Sequence, residues 1–385
     1  MKFDFDALIK NTTVEPRPYQ SRIVTRAVNA YLPIDEGGKG LRSVLVESAT
    51  GSGKSAMGLL TIRAMQNLYP DLAVGWVCMR RNLLTQADSE NKKFGIGADV
   101  DYISMFAKEL PEKLLNAKRK MLVVDEAAHD AAASMAHMHS VVRADYILGM
   151  TAVPFRTDRQ KLCFDTIIKD AGIGSLIRDG YLSQYKHYTI PEWNVKSVSR
   201  FYLDNRALWG ERTIIYMHRV EQCDEVTEIL RDNGVRVETV TGSTDREDQI
   251  DRFRTGDLDV LTNCMVLTEG LDVQSLATVF CRPSCKSVTI QMSGRAFRKY
   301  PGISHKSIVQ SKNSRWPFIK TVAPLESYVW EDDQWLSLTP NEKINEINCK
   351  VLVALAHIHT QLPAFILKKN LSKRGRSRRN RIDTT

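Results

Sequence analysis

Short β-branched runs recur from Ser43 onward, separated by stretches of helical periodicity about ten to fifteen residues long. The runs SVLVES, LAVGWVC, VDYIS, MLVVDE and YILGMT form a first set. A second set starts at TIIYM (213–217) and continues through VRVETVTG, LDVLTNC, ATVFCR and KSIVQS. Alternation of this kind predicts parallel sheets covered on both faces by helices. Two α/β domains in tandem are expected.

Between the two sets the rhythm lapses over YKHYTIPEWNVKSVSRFYLDN, where Pro191 interrupts, so a first domain is expected over 1–190 and a hinge over 191–205. A second domain is expected over 206–320. After residue 311 the chain turns aromatic and proline-punctuated, and Ile344, Ile347, Val351, Leu355 and Ile358 then recur at helical spacing until Pro363. This predicts a small appendage over 321–367, docking on a core.

Composition narrows the class. No apolar stretch reaches membrane-spanning length, and Asp4 and Asp6 stand where a secretory signal would be basic then apolar, so a cytoplasmic protein without membrane contact is expected. The 7 cysteines are scattered, which fits reduced thiols, and Cys281 and Cys285 have poor zinc spacing. The formal charge is +9, yet the tail from Lys368 holds 8 Lys or Arg against Asp383 alone, leaving little for the rest. A block like this is expected to stay disordered without an anion, and it reads as a nucleic-acid arm or a solubilising tail over 368–385.

Three motifs carry chemistry. In SATGSGKS, Ser48 to Ser55, a glycine-rich turn joins a strand to a helix, so the backbone N–H groups of Thr50, Gly51, Ser52 and Gly53 can cradle phosphates. Lys54 then reaches the outer phosphates, and Ser55 is positioned for Mg²⁺. Serine at 48 departs from the first glycine of the general pattern. MLVVDE ends in Asp125 and Glu126, paired acids that a buried strand does not carry without a counter-charge. In phosphate-loop NTPases such a strand lies beside the loop, so Asp125 is expected on Mg²⁺ and Glu126 on the attacking water. In QMSGRAFR, Gln291 to Arg298, Arg295 and Arg298 lie about one helical turn apart and can reach one anion, such as a γ-phosphate across a cleft.

A phosphate loop, a DE box, GMTAVPFR (149–156), VLTEGLDV (266–273) and QxxGRxxR occur in that order, and this order resembles superfamily 2 helicases and translocases over roughly residues 15–311. Within them the chain resembles the RadD-like DEAD/DEAH-box helicases of bacteria and phages. The resemblance implies two RecA-like lobes, ATP and Mg²⁺ as substrate and cofactor, and a catalytic set of Lys54, Asp125, Glu126, Gln291, Arg295 and Arg298. RPYQ resembles the adenine-reading segment, which places Gln20 and Arg17 at the base. MRRNLLTQA implies that Arg80 and Arg81 lie near the nucleic-acid backbone. By the same carry-over Gly270 and Asp272 sit near the ribose or cleft, and Gly242 and Thr244 near the tracked strand.

Two departures bear on coupling. Relatives read DEAHH where this chain has Ala128 before His129, and TATP where it has Val153. Weaker coupling of hydrolysis to nucleic acid is expected, with Mg²⁺ binding retained. The resemblance implies a monomeric motor gripping phosphates, on DNA before RNA, with a protein partner met through the appendage or tail. A fork-remodelling translocase that does not separate strands, or a non-motor nucleic-acid-binding protein, is the competing expectation.

Overall fold

The computed structural model describes residues 3–32, 40–127, 133–154, 162, 164–268 and 273–338. Within them the first lobe is a six-stranded parallel sheet of β1 (Ser43–Glu47), β2 (Leu72–Cys78), β3 (Asp101–Ser104), β4 (Arg119–Asp125), β5 (Tyr146–Thr151) and β6 (Thr166–Lys169), ordered β3-β2-β4-β5-β1-β6. Strand β2 is buried throughout and β4 over its last five residues, as expected when helices cover both faces.

This order fixes where chemistry can occur. Strands β4, β5 and β1 are neighbours, and in register Asp125 faces Met150 while Glu47 faces Thr151. The segments leaving their C-terminal ends therefore emerge side by side, at the edge where parallel α/β sheets bind ligands.

The second lobe holds an eight-stranded sheet of β7 (Gln184–Ile190), β8 (Thr213–Tyr216), β9 (Val237–Val240), β10 (Val260–Asn263), β11 (Thr278–Phe280), β12 (His305–Ser311), β13 (Glu326–Glu331) and β14 (Gln334–Ser337), ordered β14-β13-β7-β12-β11-β8-β10-β9. Pairing is parallel except in the β13–β14 hairpin, whose two central residues, Asp332 and Asp333, both have positive φ. That is the backbone twist a two-residue hairpin turn favours.

Two expected boundaries are corrected here. Strand β7 lies in the second sheet, so the chain changes sheets before Gln184, and the expected hinge holds the helix Val195–Asp204, capped by Asn194 and packed on the helix Val220–Asp232. The strand is hidden in sequence because its buried face carries a polar pair, His187 Nε2 with Gln310 Oε1 at 3.0 Å, and Pro191 follows directly. Likewise 326–337 extends the second sheet, with Tyr328 stacked on Tyr188 and Trp335 against Trp209. Residues 339–385, the rest of the expected appendage and the basic tail, lie outside the described residues.

One buried cation stands out in the second lobe. Lys306 on β12 is fully buried, and its ammonium donates to the carbonyls of Gln274 at 3.0 Å and Leu276 at 2.7 Å. Burial lowers it from its ordinary 10.5 to about 8. Below pH 8 the lysine is charged in both folded and unfolded chains, and the cost of burying that charge is fully present. Between 8 and 10.5 the unfolded chain holds a proton that the folded chain has shed, so rising pH favours the folded state. In thermal unfolding from pH 7 to 10, wild type should therefore gain on Lys306→Met above pH 8. A difference that stays flat across the range would contradict the assignment.

Candidate nucleotide site between the lobes

The residues after β1 form a tight turn into the helix Lys54–Leu68, with Gly51 and Gly53 both at positive φ. Ser48, which stands where a glycine was expected, is buried and donates to Ser52 Oγ at 2.7 Å, while its backbone N–H bonds Thr151 O at 3.0 Å. The hydroxyl braces the loop from inside, so the departure is structurally absorbed. From outside, Tyr19 Oη and Gln20 Nε2 both donate to Ser52 O, at 2.7 and 2.8 Å, and Gln20 Oε1 accepts from Arg17 N at 2.8 Å. At Gly53 two constraints coincide: its φ is +82°, and a Cβ there would collide with Gln20 Nε2.

Asp125 and Glu126 end β4 beside this loop. Glu126 has φ +54°, uncommon for a residue with a side chain, and its N–H donates to Asp125 Oδ1 at 3.0 Å. Such local strain recurs at functional positions. Lys54 Nζ lies 4.0 Å from Glu126 Oε1. Burial first, and the Glu126 charge second, push the Asp125 carboxyl up to about 7, while Lys54 pulls the other way. Asp125 and Ser55 line the same cavity, and a carboxylate with a hydroxyl is a hard-oxygen donor pair that fits Mg²⁺.

The second lobe completes the cavity. The helix Lys286–Gly294 runs into Arg295, and Gly294 abuts the phosphate loop so closely that a Cβ there would stand 3.2 Å from Thr50 Oγ1. Arg295 and Arg298 line a cavity of about 80 Å³ together with Thr50, Lys54, Asp125 and Glu126. Arg298 is lowered by burial, with Glu90 of the first lobe as the opposing charge. Gln291 lies on the same helix, half-buried, and does not line that cavity.

A larger cavity of about 590 Å³ adjoins it, lined by Arg17, Gln20, Gly53, Tyr181, Gln274 and Arg298 among others. Arg17 sits over the Tyr181 ring, 5.0 Å from its centroid, and Tyr19 meets the same ring edge-on. Arg81 lines a third space of about 1000 Å³ between the helices Arg81–Lys93 and Arg246–Thr255, and Arg80 caps the first of these. Gly242 and Thr244 lie apart, on an exposed loop closed by Thr241 N to Thr244 Oγ1 at 3.0 Å. Gly270, Asp272, Ala128 and His129 fall outside the described residues. Val153 is buried, and the turn around it is closed by the Thr151 hydroxyl, which bonds both its N and O.

Tyr19, Tyr181, Gln86 and Glu90 escape a reading of the sequence. Tyr19 and Gln86 stand inside RPYQ and MRRNLLTQA without being singled out there, and Gln86 Nε2 donates to Glu90 Oε1, four residues on along the helix, at 3.0 Å. Tyr181 reaches the site from the segment joining the lobes, which no local pattern announces.

Residues 13–156 match the family described as Type III restriction enzyme, res subunit, and residues 195–300 match Helicase conserved C-terminal domain. A Schizosaccharomyces pombe protein named, provisionally, as a mitochondrial ATP-dependent helicase, irc3, is 28% identical over 352 residues. The alignment covers 77% of this chain and 57% of that relative's own length. Among solved structures, Saccharomyces cerevisiae Dbp5 bound to RNA and ADP BeF3 has a TM-score of 0.57 at 17% identity, covering 91% of this chain and 100% of that one. The Type ISP restriction-modification enzyme LlaBIII bound to DNA has a TM-score of 0.56 at 15% identity, covering 77% and 27%.

Gly53→Ala should weaken binding of a fluorescent ATP analogue at least tenfold, because the methyl displaces Gln20 as well as straining the turn. Gly97→Ala, also at positive φ but with nothing within 4 Å, isolates the backbone cost of about 1 kcal/mol. Equal, small effects of the two substitutions would count against the Gln20 brace.

Proposed function

Because the chain belongs to the superfamily 2 helicases, we propose that it is an ATP-dependent motor that moves along nucleic acid, DNA in the first instance. The observation carrying this reading is the convergence of Lys54, Asp125, Glu126, Arg295 and Arg298 on one cavity, supplied by two lobes. The matches to Type III restriction enzyme, res subunit, over 13–156 and to Helicase conserved C-terminal domain over 195–300 support it.

The turn from Thr50 to Gly53 holds phosphate oxygens through backbone N–H groups, and Lys54 neutralises the outer ones. Ser55 and Asp125 would hold Mg²⁺, which when bound offsets charge on the phosphates. Glu126 orients the attacking water and takes its proton. Arg295 and Arg298 stabilise the charge that builds on the transferred phosphoryl group, and they can do so only while the lobes are together. Arg17 and Gln20 face the base, and Gln20 also ties base recognition to the loop through Ser52. Loss of the γ-phosphate removes the anion shared by the lobes, so the cleft relaxes and each cycle shifts one lobe along the strand. Gln291, expected in the catalytic set, lies on the helix that leads into Arg295.

The grip is chiefly on phosphates, through Arg80, Arg81 and the loop carrying Gly242 and Thr244, so affinity falls steeply with salt. DNA is favoured by the RadD-like resemblance, although the matches identify the superfamily and not that branch. The monomeric state, the cytoplasmic location and a protein partner belong to the same proposal. No helix among the described residues is long and apolar enough to cross a membrane.

ATP hydrolysis measured alone and with single-stranded DNA, duplex, forked DNA and RNA tests the reading. Single-stranded or forked DNA should stimulate the rate, and Lys54→Ala should lower it about 10²-fold or more. Stimulation by RNA alone would reassign the track, and a rate indifferent to every nucleic acid would remove the motor reading.

A further inference from the structure

The C-terminal edge of the second sheet carries more positive charge than the motor reading uses. Along this edge the strands run β9, β10, β8, β11, β12, so the loops that follow them form a row in that order. The row begins at Gly242 and Thr244 after β9 and passes Met265 after β10. His218 and Arg219 follow β8, then Arg282 after β11, and it ends at Trp316 beyond β12.

Side-chain contacts and short chain segments link the row from β10 to Trp316. Cys264 Sγ donates to His218 O at 3.0 Å, and Arg282 reaches both His218 Nδ1 at 3.3 Å and Met265 Sδ at 2.9 Å. Arg282 also donates to Ser284 Oγ at 3.0 Å, two residues before Lys286. The Lys286 ammonium lies 5.1 Å from the Trp316 ring centroid, and that of Lys320 lies 5.7 Å from it.

This end of the row has an unusual composition. His218, Arg219, Lys286, Arg315 and Lys320 are exposed, and Trp316 is half-buried with its Nε1 donating to Thr321 Oγ1 at 3.0 Å. Lys312 is excluded, since Glu331 neutralises it at 2.8 Å. Arg282 Nε is buried with no hydrogen-bond partner. The His218 imidazole is lowered first by partial desolvation of its ring and then by Arg282 and Arg219 beside it. Two ammonium groups beside one indole form the pairing that single-strand binders use, cations for the backbone and a π-face for a base.

We propose that this edge extends the nucleic-acid track past the loop after β9, with Lys286 and Lys320 holding backbone phosphates and Trp316 stacking on a base of a single strand. The proposal rests on the motor reading and adds a site to it. From β9 to β12 there are four interstrand spacings of about 4.8 Å, roughly 19 Å in all.

The full chain is titrated with labelled 16-nucleotide single strands of DNA and of RNA at several salt concentrations. Wild type is compared with the Lys286→Ala/Lys320→Ala pair and with Trp316→Phe, each checked for an unchanged thermal midpoint. The lysine pair should bind about tenfold more weakly, with a salt slope shallower by about 1.4, near 0.7 for each single-strand phosphate no longer neutralised. Trp316→Phe, which keeps an aromatic ring and the fold, should lose part of the tryptophan fluorescence quench seen when wild type binds. Both results together support the site, and either one missing overturns it. Wild type that binds neither strand would instead contradict the motor reading from which this site extends.

Discussion

Closure of one glycine-lined contact across two lobes organises this molecule. Gly294 meets Thr50 so closely that a side chain there would press on it, with a Cβ 3.2 Å from Thr50 Oγ1, and Arg298 packs against Gly51 three residues before Lys54. The contact brings the end of a second-lobe helix onto a first-lobe phosphate loop, so neither lobe alone can assemble the site. Apolar packing supports it, because one continuous buried cluster runs from Val46 and Met57 in the first lobe to Phe297 and Ile308 in the second. The lobes are thus held by burial, and their polar chemistry is concentrated where that burial ends.

The electrostatics at the contact are unfavourable in a consistent direction. Asp125 is buried beside Glu126, Arg298 is desolvated opposite Glu90, and Glu126 is held at a positive φ. Desolvation of charged groups is costly unless a partner of opposite sign arrives. On the proposed reading, a nucleotide polyphosphate with Mg²⁺ would bring both signs at once, anion toward the arginines and cation toward the carboxylates. Its binding would offset these costs in both lobes, which is a physical basis for coupling occupancy of the cleft to its closure.

Much of this was legible in the chain. The ten strands read from β-branched runs sit where those runs are, and the phosphate loop, the acid pair and the arginines keep the order that the topology then gathers in space. What stayed hidden has definite causes. Strand β7 carries a buried His187–Gln310 pair on one face, and its other face shows only Tyr188 and Ile190 among Gln184 and Lys186, while β13 and β14 extend the sheet through aromatic contacts that read as an appendage. Tyr181 and Glu90 meet the site only through the folding of distant segments. Ser48 reads as a departure in sequence, and its hydroxyl turns out to brace the loop through Ser52.

In the proposed motor the second lobe completes the chemistry of the first. The most direct test is single-turnover ATP hydrolysis by Arg298→Ala at saturating nucleotide and nucleic acid, with nucleotide affinity measured separately. The rate should fall about 10³-fold with affinity changed only a few-fold, since an arginine reaching across a cleft acts mainly on the transition state. A rate close to wild type would contradict this and leave the interlobe contact with a structural role alone.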